Sequence, residues 1–475
     1  MNGMFRGKVR RIHFVGIGGT GMSGIAEVLL TMGFQVTGSD TKEGEAVRRL
    51  RGLGGHVAIG HEAENVRGAD VVVQSTAIPQ TNVEIVAAEQ KSIPVIRRAE
   101  MLAELMRMKY GLAVAGTHGK TTTTSMLAQC LHHAGLDPTV VIGGRLDSLG
   151  SSARLGAGAY MVAEADESDG TFMLLAPTVA IVTNIDPEHL DHWGTMEALV
   201  QGFADFASSV PFFGFACVCL DHPVVQGLLP RIRRRVVTYG TSLQADVRAE
   251  SIRYDGLETS FRVVVRGTEM GTVRLGMPGE HNVRNALAAI GTSLELDLSF
   301  ERIAEALEGF TGVDRRFSIR GTPVLEAGGE AVTLVDDYGH HPAEISATLE
   351  AAWNAYPGRR IVAVFQPHRY TRVRDLLPEF ARCFHRAAHV VVCPIYRAGE
   401  APIAGIDAEH IAKELKEHGH RSVAVAGTLE AAATDVLGRL EPGDLVVTLG
   451  AGDVNRVLSI VAEALGASDS TEVAS

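Results

Sequence analysis

Residues 11–21 read RIHFVGIGGTG, a short apolar strand that runs straight into the glycine turn Gly16–Gly21. The pattern predicts a helix from Met22 to Met32 and a second strand from Phe34 to Thr37, shortly before Asp40. A strand, a GxGxxG turn, a helix and a strand form a dinucleotide-binding unit, in which glycines let the backbone approach a pyrophosphate at a helix N-terminus. The stretch therefore predicts an α/β fold with a parallel sheet.

The motif leaves the ligand of this first turn open. Taken alone it favours NAD, since Asp40 follows the last glycine by 19 residues, as in the dinucleotide fingerprint. Nothing in the turn requires a nicotinamide. The candidate contacts to a nucleotide or sugar are Gly16, Gly18, Gly19, Gly21, Ser39, Asp40, His61 and Ser75. For the last four, an ordinary loop or capping role is an equal alternative.

A second glycine turn, GTHGKTT at residues 116–122, follows the predicted strand Gly111–Ala115 and opens a helix predicted from Thr121. In such a turn the backbone N–H groups and the lysine cradle phosphates, and a threonine hydroxyl reaches Mg²⁺. The turn departs from the general GxxxxGK[ST] pattern, because Val114 stands where that pattern has glycine. Lys120 is the only lysine between positions 110 and 412, which favours a phosphate role over a solvated surface role. Two phosphate turns indicate an enzyme that uses one nucleotide to act on another.

Size and composition restrict the function classes. At 475 residues, with 46% hydrophobic residues and 52 glycines, the chain is long enough for about three α/β domains. The formal net charge of -12 argues against non-specific binding to nucleic acid or to an anionic membrane, since both need a basic surface. Five scattered cysteines without CxxC spacing suggest neither a disulfide framework nor a zinc site, and no apolar run approaches the length of a membrane span. We expect a reducing cytoplasm.

The alternation of strands and helices continues along the chain with one expected interruption. Short strands are predicted at Tyr160–Ala163 and Val179–Asn184, and alternating runs between Phe213 and Leu275 suggest an antiparallel insertion. After residue 312 the pattern is again doubly wound, with predicted strands at 332–335, 361–365, 390–393, 423–426 and 445–449.

Two polar clusters follow predicted strands, where ligands gather in open α/β sheets. The first, EADESD, offers carboxylates for Mg²⁺, with Glu164 preferred and Glu167 second, and its alternative is a solvated acidic loop. The second, TNIDPEHLDH, contains His189 and His192, which could suggest zinc but lack a third soft ligand.

A third cluster, GEHNVRN at residues 279–285, stands at the start of a predicted helix. Asn282 is either the cap of this helix or part of a site for an adenine edge. The residues alone leave these two readings equal.

The motifs together resemble those of the Mur ligases. In chain order they are GIGGTGMS, GTHGKTT, EADESD, TNIDPEHLD, GEHNVRNALAAI, DRRF, DDYGHHPAEI and FQPHRYTR. The resemblance extends from Val9 to about Asn455 and is greatest to the branch that adds L-alanine to UDP-N-acetylmuramate in peptidoglycan synthesis. It implies three α/β domains. They are a Rossmann-like UDP-sugar domain at 1–108, a central P-loop ATPase domain with a mixed sheet at 109–318, and a Rossmann-like amino-acid domain at 319–475.

The resemblance also implies roles for particular residues. Those for ATP are Gly116, Thr117, His118, Gly119, Lys120, Thr121, Thr122, His281, Asn282, Asn285 and Asp337. Those for Mg²⁺ are Thr121, Glu164 and His189. Those for the incoming amino acid are Tyr338, His340, His341, His368, Arg369 and Arg372. Those in catalysis are Lys120, His189, Arg316, His340 and Arg369. For Arg369 and Arg372, a surface ion pair is the alternative.

By the same resemblance, ATP phosphorylates the carboxylate of UDP-N-acetylmuramate, and the amine of L-alanine attacks the acyl phosphate, leaving ADP and phosphate. ATP and Mg²⁺ are the expected cofactors, and neither nucleic acid nor membrane is expected as a partner. The chain is expected to be a monomer or a weak homodimer, and closure of the third domain onto the second is expected to gate the reaction. Residues 201–206, QGFADF, contain no lysine, so the carbamylated lysine of many Mur ligases is not expected.

Three rival functions remain open at this point. A ligase that adds a preformed peptide to UDP-muramate would share the first two domains and differ around Tyr338–His341. A nicotinamide oxidoreductase would bind NAD at the first glycine turn. A nucleotide-binding regulatory protein without chemistry is disfavoured by the combination of lysine turn, carboxylates and histidines.

Overall fold

The computed structural model describes residues 9–75, 77–146, 151–325 and 329–466. Three sheets organise these ranges. The chain divides into two compact units. The first runs up to residue 251 and adds 261–273 and 284–311, and the second comprises 252–260, 274–283 and the chain from 312 onward.

The first sheet has five parallel strands in the order β3-β2-β1-β4-β5. Its strands are β1 (Arg11–Val15), β2 (Gln35–Asp40), β3 (His56–Ile59), β4 (Val71–Gln74) and β5 (Val95–Arg97). Its helices are α1 (Thr20–Thr31), α2 (Glu45–Gly52), α3 (Val83–Gln90) and α4 (Arg98–Met106). The strand order reverses between β1 and β4, which is the switch point where open parallel sheets bind ligands. The first glycine turn follows β1 and lies at that point.

The second sheet has ten strands in the order β15-β14-β13-β12-β11-β10-β6-β9-β7-β8. Its first five strands in the chain are β6 (Tyr110–Ala115), β7 (Thr139–Leu146), β8 (Ser151–Arg154), β9 (Tyr160–Glu164) and β10 (Val179–Val182). The others are β11 (Phe215–Cys219), β12 (Val236–Gly240), β13 (Val247–Asp255), β14 (Glu258–Val265) and β15 (Thr268–Leu275). The helices of this part of the chain are α5 (Lys120–His133), α6 (Leu190–Trp193), α7 (Met196–Ser208), α8 (Pro223–Leu228), α9 (Glu280–Glu295) and α10 (Phe300–Glu308).

The predicted antiparallel insertion between Phe213 and Leu275 is wrong for its first half. Strand β11 pairs parallel with β10 and with β12, and β12 pairs parallel with β13. All five residues of β11 are buried, as is typical of a strand covered on both faces. In this stretch the antiparallel part is the meander of β13, β14 and β15. Their connections, 256–257 and 266–267, have two residues each, and such short connections can join only antiparallel strands.

The third sheet has six strands in the order β16-β17-β21-β18-β19-β20. Its strands are β16 (Ser318–Gly321), β17 (Thr333–Asp337), β18 (Ile361–Phe365), β19 (His389–Val392), β20 (Val423–Val425) and β21 (Leu445–Leu449). Its helices are α11 (Pro342–Ala355), α12 (Tyr370–Asp375), α13 (Leu377–Phe380), α14 (Ala408–Glu417), α15 (Leu429–Leu437) and α16 (Arg456–Ala464). Only β16, an edge strand that the sequence did not predict, is antiparallel to its neighbour. The predicted α/β class, with a mixed central sheet between two doubly wound ones, is confirmed.

Two further properties follow from the described ranges. None of their helices combines the length and the apolarity that crossing a bilayer requires. The cysteines, which are Cys130, Cys217, Cys219, Cys383 and Cys393, are all buried free thiols.

Substitution of Phe365 tests the packing of the third sheet. Phe365 ends β18 with 0% exposure, and its ring lies 5.4 Å from that of Phe380 and 5.2 Å from that of Phe384. We expect Phe365→Ala to lower the free energy of unfolding of this part of the chain by about 3–5 kcal/mol, because the contacts of the Phe365 ring with the two neighbouring rings are lost and a cavity is left. Urea unfolding followed by tryptophan fluorescence measures the change. The control is Phe212→Ala at a ring that is 91% exposed, and an equal loss in both variants would contradict the packing described here.

Candidate active site

The first glycine turn is folded onto the end of strand β2. The N–H groups of Gly16 and Ile17 donate to the carbonyl oxygen of Ser39 at 2.9 and 3.0 Å. The carboxylate of Asp40 accepts the N–H of Gly18 at 2.8 Å. A Cβ on Gly18 would lie 2.8 Å from that carboxylate, so this close approach requires glycine. Asp40 therefore shapes the turn itself.

The other predicted contacts of this turn lie around it. Gly19 precedes α1, which begins without a side-chain cap, and a Cβ on Gly21 would lie 2.9 Å from a neighbouring arginine. His61 follows β3, with its Nδ1 atom 2.9 Å from Oγ of Ser39, and Ser75 follows β4. The fold thus brings all the predicted residues to the carboxyl ends of four neighbouring strands. Their roles towards a ligand stay a prediction.

Two glycines of the second turn occupy positions that exclude a side chain. Gly116 has a φ of +133°, and a Cβ there would lie 2.0 Å from Oγ1 of Thr183. Gly119 has a φ of +80° and stands directly before α5, and a Cβ there would lie 2.5 Å from Oδ1 of Asn285. Positive φ values favour glycine for steric reasons alone. Here the missing side chains also let polar groups approach the turn closely.

The chain after strand β10 holds the second turn in place. His118 donates its N–H to Oδ1 of Asn184 at 2.7 Å. Its carbonyl oxygen accepts from the side chains of Thr183 and Asn184 at 2.7 and 3.0 Å. Oγ1 of Thr117 accepts the N–H of Asp186 at 2.9 Å. The turn is therefore preorganised by the protein, with Thr121 and the buried Thr122 entering α5 behind it.

Lys120 places a positive charge on this turn. Its Nζ atom donates to the carbonyl oxygens of Gly116 and Thr117 at 2.6 and 3.2 Å and to both carboxylate oxygens of Glu167 at 2.9 Å. Burial lowers the pKa of Lys120, but the carboxylates of Glu167 and Asp166 outweigh it and raise the pKa. The ammonium group is therefore protonated and fixed. Glu167, ranked second as a metal ligand, is the carboxylate that pairs with the lysine.

A carboxylate between two histidines, which the sequence analysis did not single out, adjoins this turn. Asp186 lies 3.2 Å from Nε2 of His118 and 3.4 Å from Nε2 of His222. Burial raises the pKa of Asp186, but hydrogen bonds from the two imidazoles outweigh it and hold the pKa well below its usual range. His222 follows β11, and only the rule that ligands gather at strand ends could have drawn attention to it.

The predicted ligands of a divalent cation follow three neighbouring strands. Thr121 comes after β6, Glu164 ends β9 and His189 comes after β10, and the sheet order is β10-β6-β9. Within the described ranges, no group of three or more His, Cys, Asp or Glu side chains is arranged to hold a metal ion. A hydroxyl and a carboxylate nevertheless fit Mg²⁺, which prefers hard oxygens and completes its shell with phosphate and water.

Helix α9 carries the residues implied in adenine binding. Asn282 is its third residue and donates to the carbonyl oxygen of Pro278 at 2.8 Å. This side chain therefore bonds the chain just before the helix, from the third helical position and not from the N-cap position. Asn285 accepts from Oγ1 of Thr123 at 3.2 Å, which connects α9 to α5. His281 is the second residue of the helix. The adenine role stays a prediction.

In the second unit, Asp337 is a buried carboxylate at the end of β17. It accepts the N–H groups of Gly339 and Phe317, each at 2.8 Å, and the hydroxyl of Thr348 at 3.1 Å. Burial raises the pKa of Asp337, although the Arg316 guanidinium acts in the opposite direction. Asp337 therefore fixes the loop that follows it.

Glu344, which the sequence analysis missed, organises that loop. Its carboxylate accepts the N–H groups of His340 and His341 at 3.0 and 3.2 Å and lies 3.5 Å from Nη1 of Arg316. His341 is the N-cap of α11, and its Nδ1 atom accepts from Ala343 at 3.3 Å. The three-residue spacing of His341 and Glu344, a capping box, was the signal available in the sequence.

An aromatic row lies beside this loop. The His340 ring is 5.4 Å from that of His368, which stacks on Tyr396 at 5.5 Å. Nη1 of Arg372 lies 3.1 Å from Nδ1 of His368. Burial lowers the pKa of His340 to about 3, against the opposing effect of Glu344. The His340 imidazole is therefore neutral near pH 7. Tyr396 is another residue that the sequence analysis missed.

Arg369 combines a strained backbone with an unsatisfied side-chain atom. Its φ is +68°, which is unusual for a residue with a side chain. Its buried Nε atom has no hydrogen-bond partner in the part of the chain that the structure describes. The guanidinium groups of Arg315 and Arg316 lie 5.2 and 5.3 Å from the ring centre of Tyr338. The role of Arg369 towards a ligand stays a prediction.

Three family profiles match consecutive stretches of the chain. "Mur ligase family, catalytic domain" matches residues 11–110, "Mur ligase middle domain" matches 114–293, and "Mur ligase, glutamate ligase domain" matches 315–452. Together they span all three sheets.

Curated relatives and solved structures match nearly the full chain. The UDP-N-acetylmuramate--L-alanine ligase of Sorangium cellulosum is 56% identical, over 95% of this chain and 96% of the relative. The protein of the same name from Anaeromyxobacter dehalogenans is 55% identical, over 95% and 97%. Among solved structures, UDP-N-acetylmuramate-alanine ligase MurC from Thermotoga maritima has a TM-score of 0.80 at 30% identity, over 96% and 99%. A murein peptide ligase from Psychrobacter arcticus has a TM-score of 0.68 at 25% identity, over 98% and 100%.

These matches confirm the family resemblance and the three-domain architecture expected from the motifs. Each match to these two curated relatives covers 95% of this chain. The chain therefore belongs to the Mur ligase family.

Proposed function

We propose that this chain ligates L-alanine to the carboxylate of UDP-N-acetylmuramate in peptidoglycan synthesis, with ATP converted to ADP and phosphate through an acyl phosphate. The names of the relatives that share more than half of its residues support this activity. The structural observation that carries the proposal is the Lys120 ammonium group, fixed on a glycine turn at the start of a helix.

The chemistry explains why a triphosphate is needed. A carboxylate and an amine do not form an amide at neutral pH without a better leaving group. A carboxylate oxygen therefore attacks the γ-phosphorus of ATP, and the bond from that phosphorus to the ADP oxygen breaks. The alanine nitrogen then attacks the acyl carbon, phosphate departs with its electron pair, and the nitrogen loses a proton to solvent or phosphate.

The first step brings two anions together. Like unit charges about 4 Å apart repel by roughly 4 kcal/mol at an effective dielectric of 20. Lys120 would offset this repulsion, because its ammonium group is already held on the turn whose backbone N–H groups would bind the phosphates. Thr121 and Glu164 would hold Mg²⁺ together with phosphate oxygens, and the ion would neutralise further negative charge. His189 is the third proposed ligand.

The amino acid is proposed to bind at the end of the third sheet. Arg369 and Arg372 would bind the alanine carboxylate, and a neutral His340 can accept a hydrogen bond from the amine. Tyr338 and His368 would enclose the methyl group. One methylene changes binding by only about 1–3 kcal/mol, so we expect slow use of glycine and serine.

We further propose domain boundaries at residues 108 and 318. His281, Asn282 and Asn285 would contact the adenine, and Arg316 and Asp337 would complete the ATP site. We also infer a cytoplasmic monomer or weak homodimer without a nucleic-acid partner, since the net charge of -12 disfavours polyanions.

Omission of single substrates tests the reaction. With the purified chain, Mg²⁺, ATP, UDP-N-acetylmuramate and L-alanine, phosphate release is expected to exceed that of every mixture lacking one component, since alanine must discharge the acyl phosphate. Mass spectrometry should identify the alanyl product. Faster turnover with a peptide that begins with alanine would support the peptide-adding rival, and saturable binding of NADH would support the oxidoreductase.

Substitution of Lys120 tests the phosphate turn. We expect Lys120→Ala to lower ATP-dependent phosphate release by at least about a hundredfold while the circular dichroism spectrum is retained, because the charge that faces the transferred phosphate is lost. Lys91→Ala, at an exposed position, is the matched control and should keep full activity. Lys120→Ala leaves the buried carboxylate of Glu167 without its counter-charge. The double variant Lys120→Ala/Glu167→Gln removes this unpaired charge and should show the same loss of phosphate release. Turnover retained in Lys120→Ala would contradict the assignment.

A further inference from the structure

The first sheet contains a buried polar cluster that the proposed reaction does not explain. We call it the Glu84 cluster and define it as Glu84, His13, Ser39, His61 and Asn65. Glu84 is the second residue of α3, and its side chain is 0% exposed. A carboxylate is almost never fully buried unless it is paired. The cluster therefore calls for a physical explanation.

Both carboxylate oxygens of Glu84 are engaged. Oε1 accepts from Nδ2 of Asn65 at 2.5 Å and from the N–H of Glu62 at 3.1 Å. Oε2 accepts from Oγ of Ser39 at 2.5 Å and lies 3.3 Å from Nε2 of His13. Burial raises the pKa of Glu84, but the hydrogen bonds from His13, Ser39 and Asn65 outweigh it and lower the pKa to about 2. The carboxylate is therefore ionised at neutral pH.

The ionised carboxylate decides where its neighbours carry their hydrogens. It can only accept hydrogen bonds, so the single hydroxyl hydrogen of Ser39 points to Glu84. Nδ1 of His61 lies 2.9 Å from the same Oγ atom. The hydrogen between these two atoms must therefore belong to Nδ1 of His61. A neutral ring in this form has its lone pair on Nε2, which is then a hydrogen-bond acceptor.

Ser39 connects this arrangement to the first glycine turn. Its carbonyl oxygen accepts the N–H groups of Gly16 and Ile17, while its hydroxyl lies between Glu84 and His61. The His61 side chain is 16% exposed and follows β3 at the same edge of the sheet. The turn and the accepting nitrogen are thus positioned by one residue, and that residue is held by Glu84.

We infer that Glu84 is a positioning residue for the nucleotide at the first glycine turn: through Ser39 it sets His61 in the Nδ1–H form, so that Nε2 accepts a hydrogen bond from the ligand. The inference rests on the proposed function, since it takes that ligand to be a uridine nucleotide. The donor is a ribose hydroxyl or the N3–H of uracil, which are the neutral donors that uridine diphosphate offers.

Glu84→Gln keeps the shape of the side chain and reverses the hydrogens. The amide oxygen keeps the bonds from Asn65 and from the N–H of Glu62, while the NH₂ group donates to Oγ of Ser39 and to Nε2 of His13. The hydrogen of the His13 ring then lies on Nδ1, which is 2.8 Å from Oγ1 of Thr37 and donates to it. The Ser39 hydroxyl then donates to Nδ1 of His61, whose hydrogen moves to Nε2. Every partner remains satisfied, so the variant is expected to fold. Glu89→Gln, on the exposed side of the same helix, is the matched control.

Nitrogen-15 NMR of the full chain labelled at histidine reads the position of this hydrogen. The His61 signals are assigned by their absence in His61→Ala. We expect a protonated Nδ1 and an unprotonated Nε2 in the unsubstituted chain and in Glu89→Gln, and the reverse in Glu84→Gln. A protonated Nε2 in the unsubstituted chain overturns the inference.

Calorimetric titration with UDP reads the consequence for binding. Glu84→Gln is expected to weaken UDP binding about tenfold. In the variant, Nε2 of His61 carries a hydrogen and faces the donor group of UDP, so the hydrogen bond that Nε2 accepted is lost. Its affinity for ATP should match that of Glu89→Gln. In a His61→Ala background, Glu84→Gln should change UDP affinity by less than about twofold, since Glu84 acts through His61. The analogues 2′-deoxy-UDP, 3′-deoxy-UDP and N3-methyl-UDP each lack one candidate donor. The analogue without the donor that binds Nε2 of His61 should have the same affinity for the unsubstituted chain and for Glu84→Gln.

The outcomes separate this inference from the proposed function. No UDP binding by the unsubstituted chain overturns both together. Normal binding by that chain, with an unchanged affinity in Glu84→Gln or with the same loss in the His61→Ala background, overturns the positioning role of Glu84 alone.

Discussion

The ion pair between Lys120 and Glu167 is the interaction on which the proposed phosphate chemistry of this chain depends. A buried ammonium group without a counter-charge would tend to lose its proton, and the acidic residues around Lys120 prevent this by raising its pKa. The same bonds, together with the carbonyl oxygens of Gly116 and Thr117, keep the group on the turn before any ligand arrives. In the proposed reaction, a triphosphate would therefore meet a cation in place and compete with Glu167 for it.

The rest of each site follows from where parallel strands end. The first glycine turn follows β1, the lysine turn follows β6, and the loop with two histidines follows β17. At the first and the third of these ends a carboxylate shapes the backbone: Asp40 accepts from Gly18 and Asp337 from Gly339. Some acidic side chains of this family member thus position loops, and a net charge of -12 is compatible with the three anion sites that we propose.

Local patterns were sufficient to predict much of the fold and part of the site. The glycine turns and Lys120 were predictable because backbone geometry and phosphate chemistry dictate those residues at that spacing, and strands such as Ile361–Phe365 were predicted with the bounds observed. The sense of β11 and β12 was not predictable, since short apolar runs look alike in parallel and antiparallel sheets.

The residues that sequence reasoning missed act through tertiary contacts. His222 meets Asp186 across two strand ends, Tyr396 stacks on His368, and Glu84 gathers partners from separate strands and loops. The periodicity of apolar residues in the sequence carries no information about such tertiary contacts. Glu344 was also missed, but it had a local signal in the sequence, namely the capping box that it forms with His341.

A crystal structure with a non-hydrolysable ATP analogue and UDP-N-acetylmuramate bound tests the central claim most directly. The account predicts that the β- and γ-phosphate oxygens lie within hydrogen-bond distance of Nζ of Lys120 and of the N–H groups of residues 116–122. It also predicts the UDP-sugar pyrophosphate at Gly16–Gly21. An adenine nucleotide at the first turn, with Lys120 still paired to Glu167 and no phosphate beside it, would contradict the account.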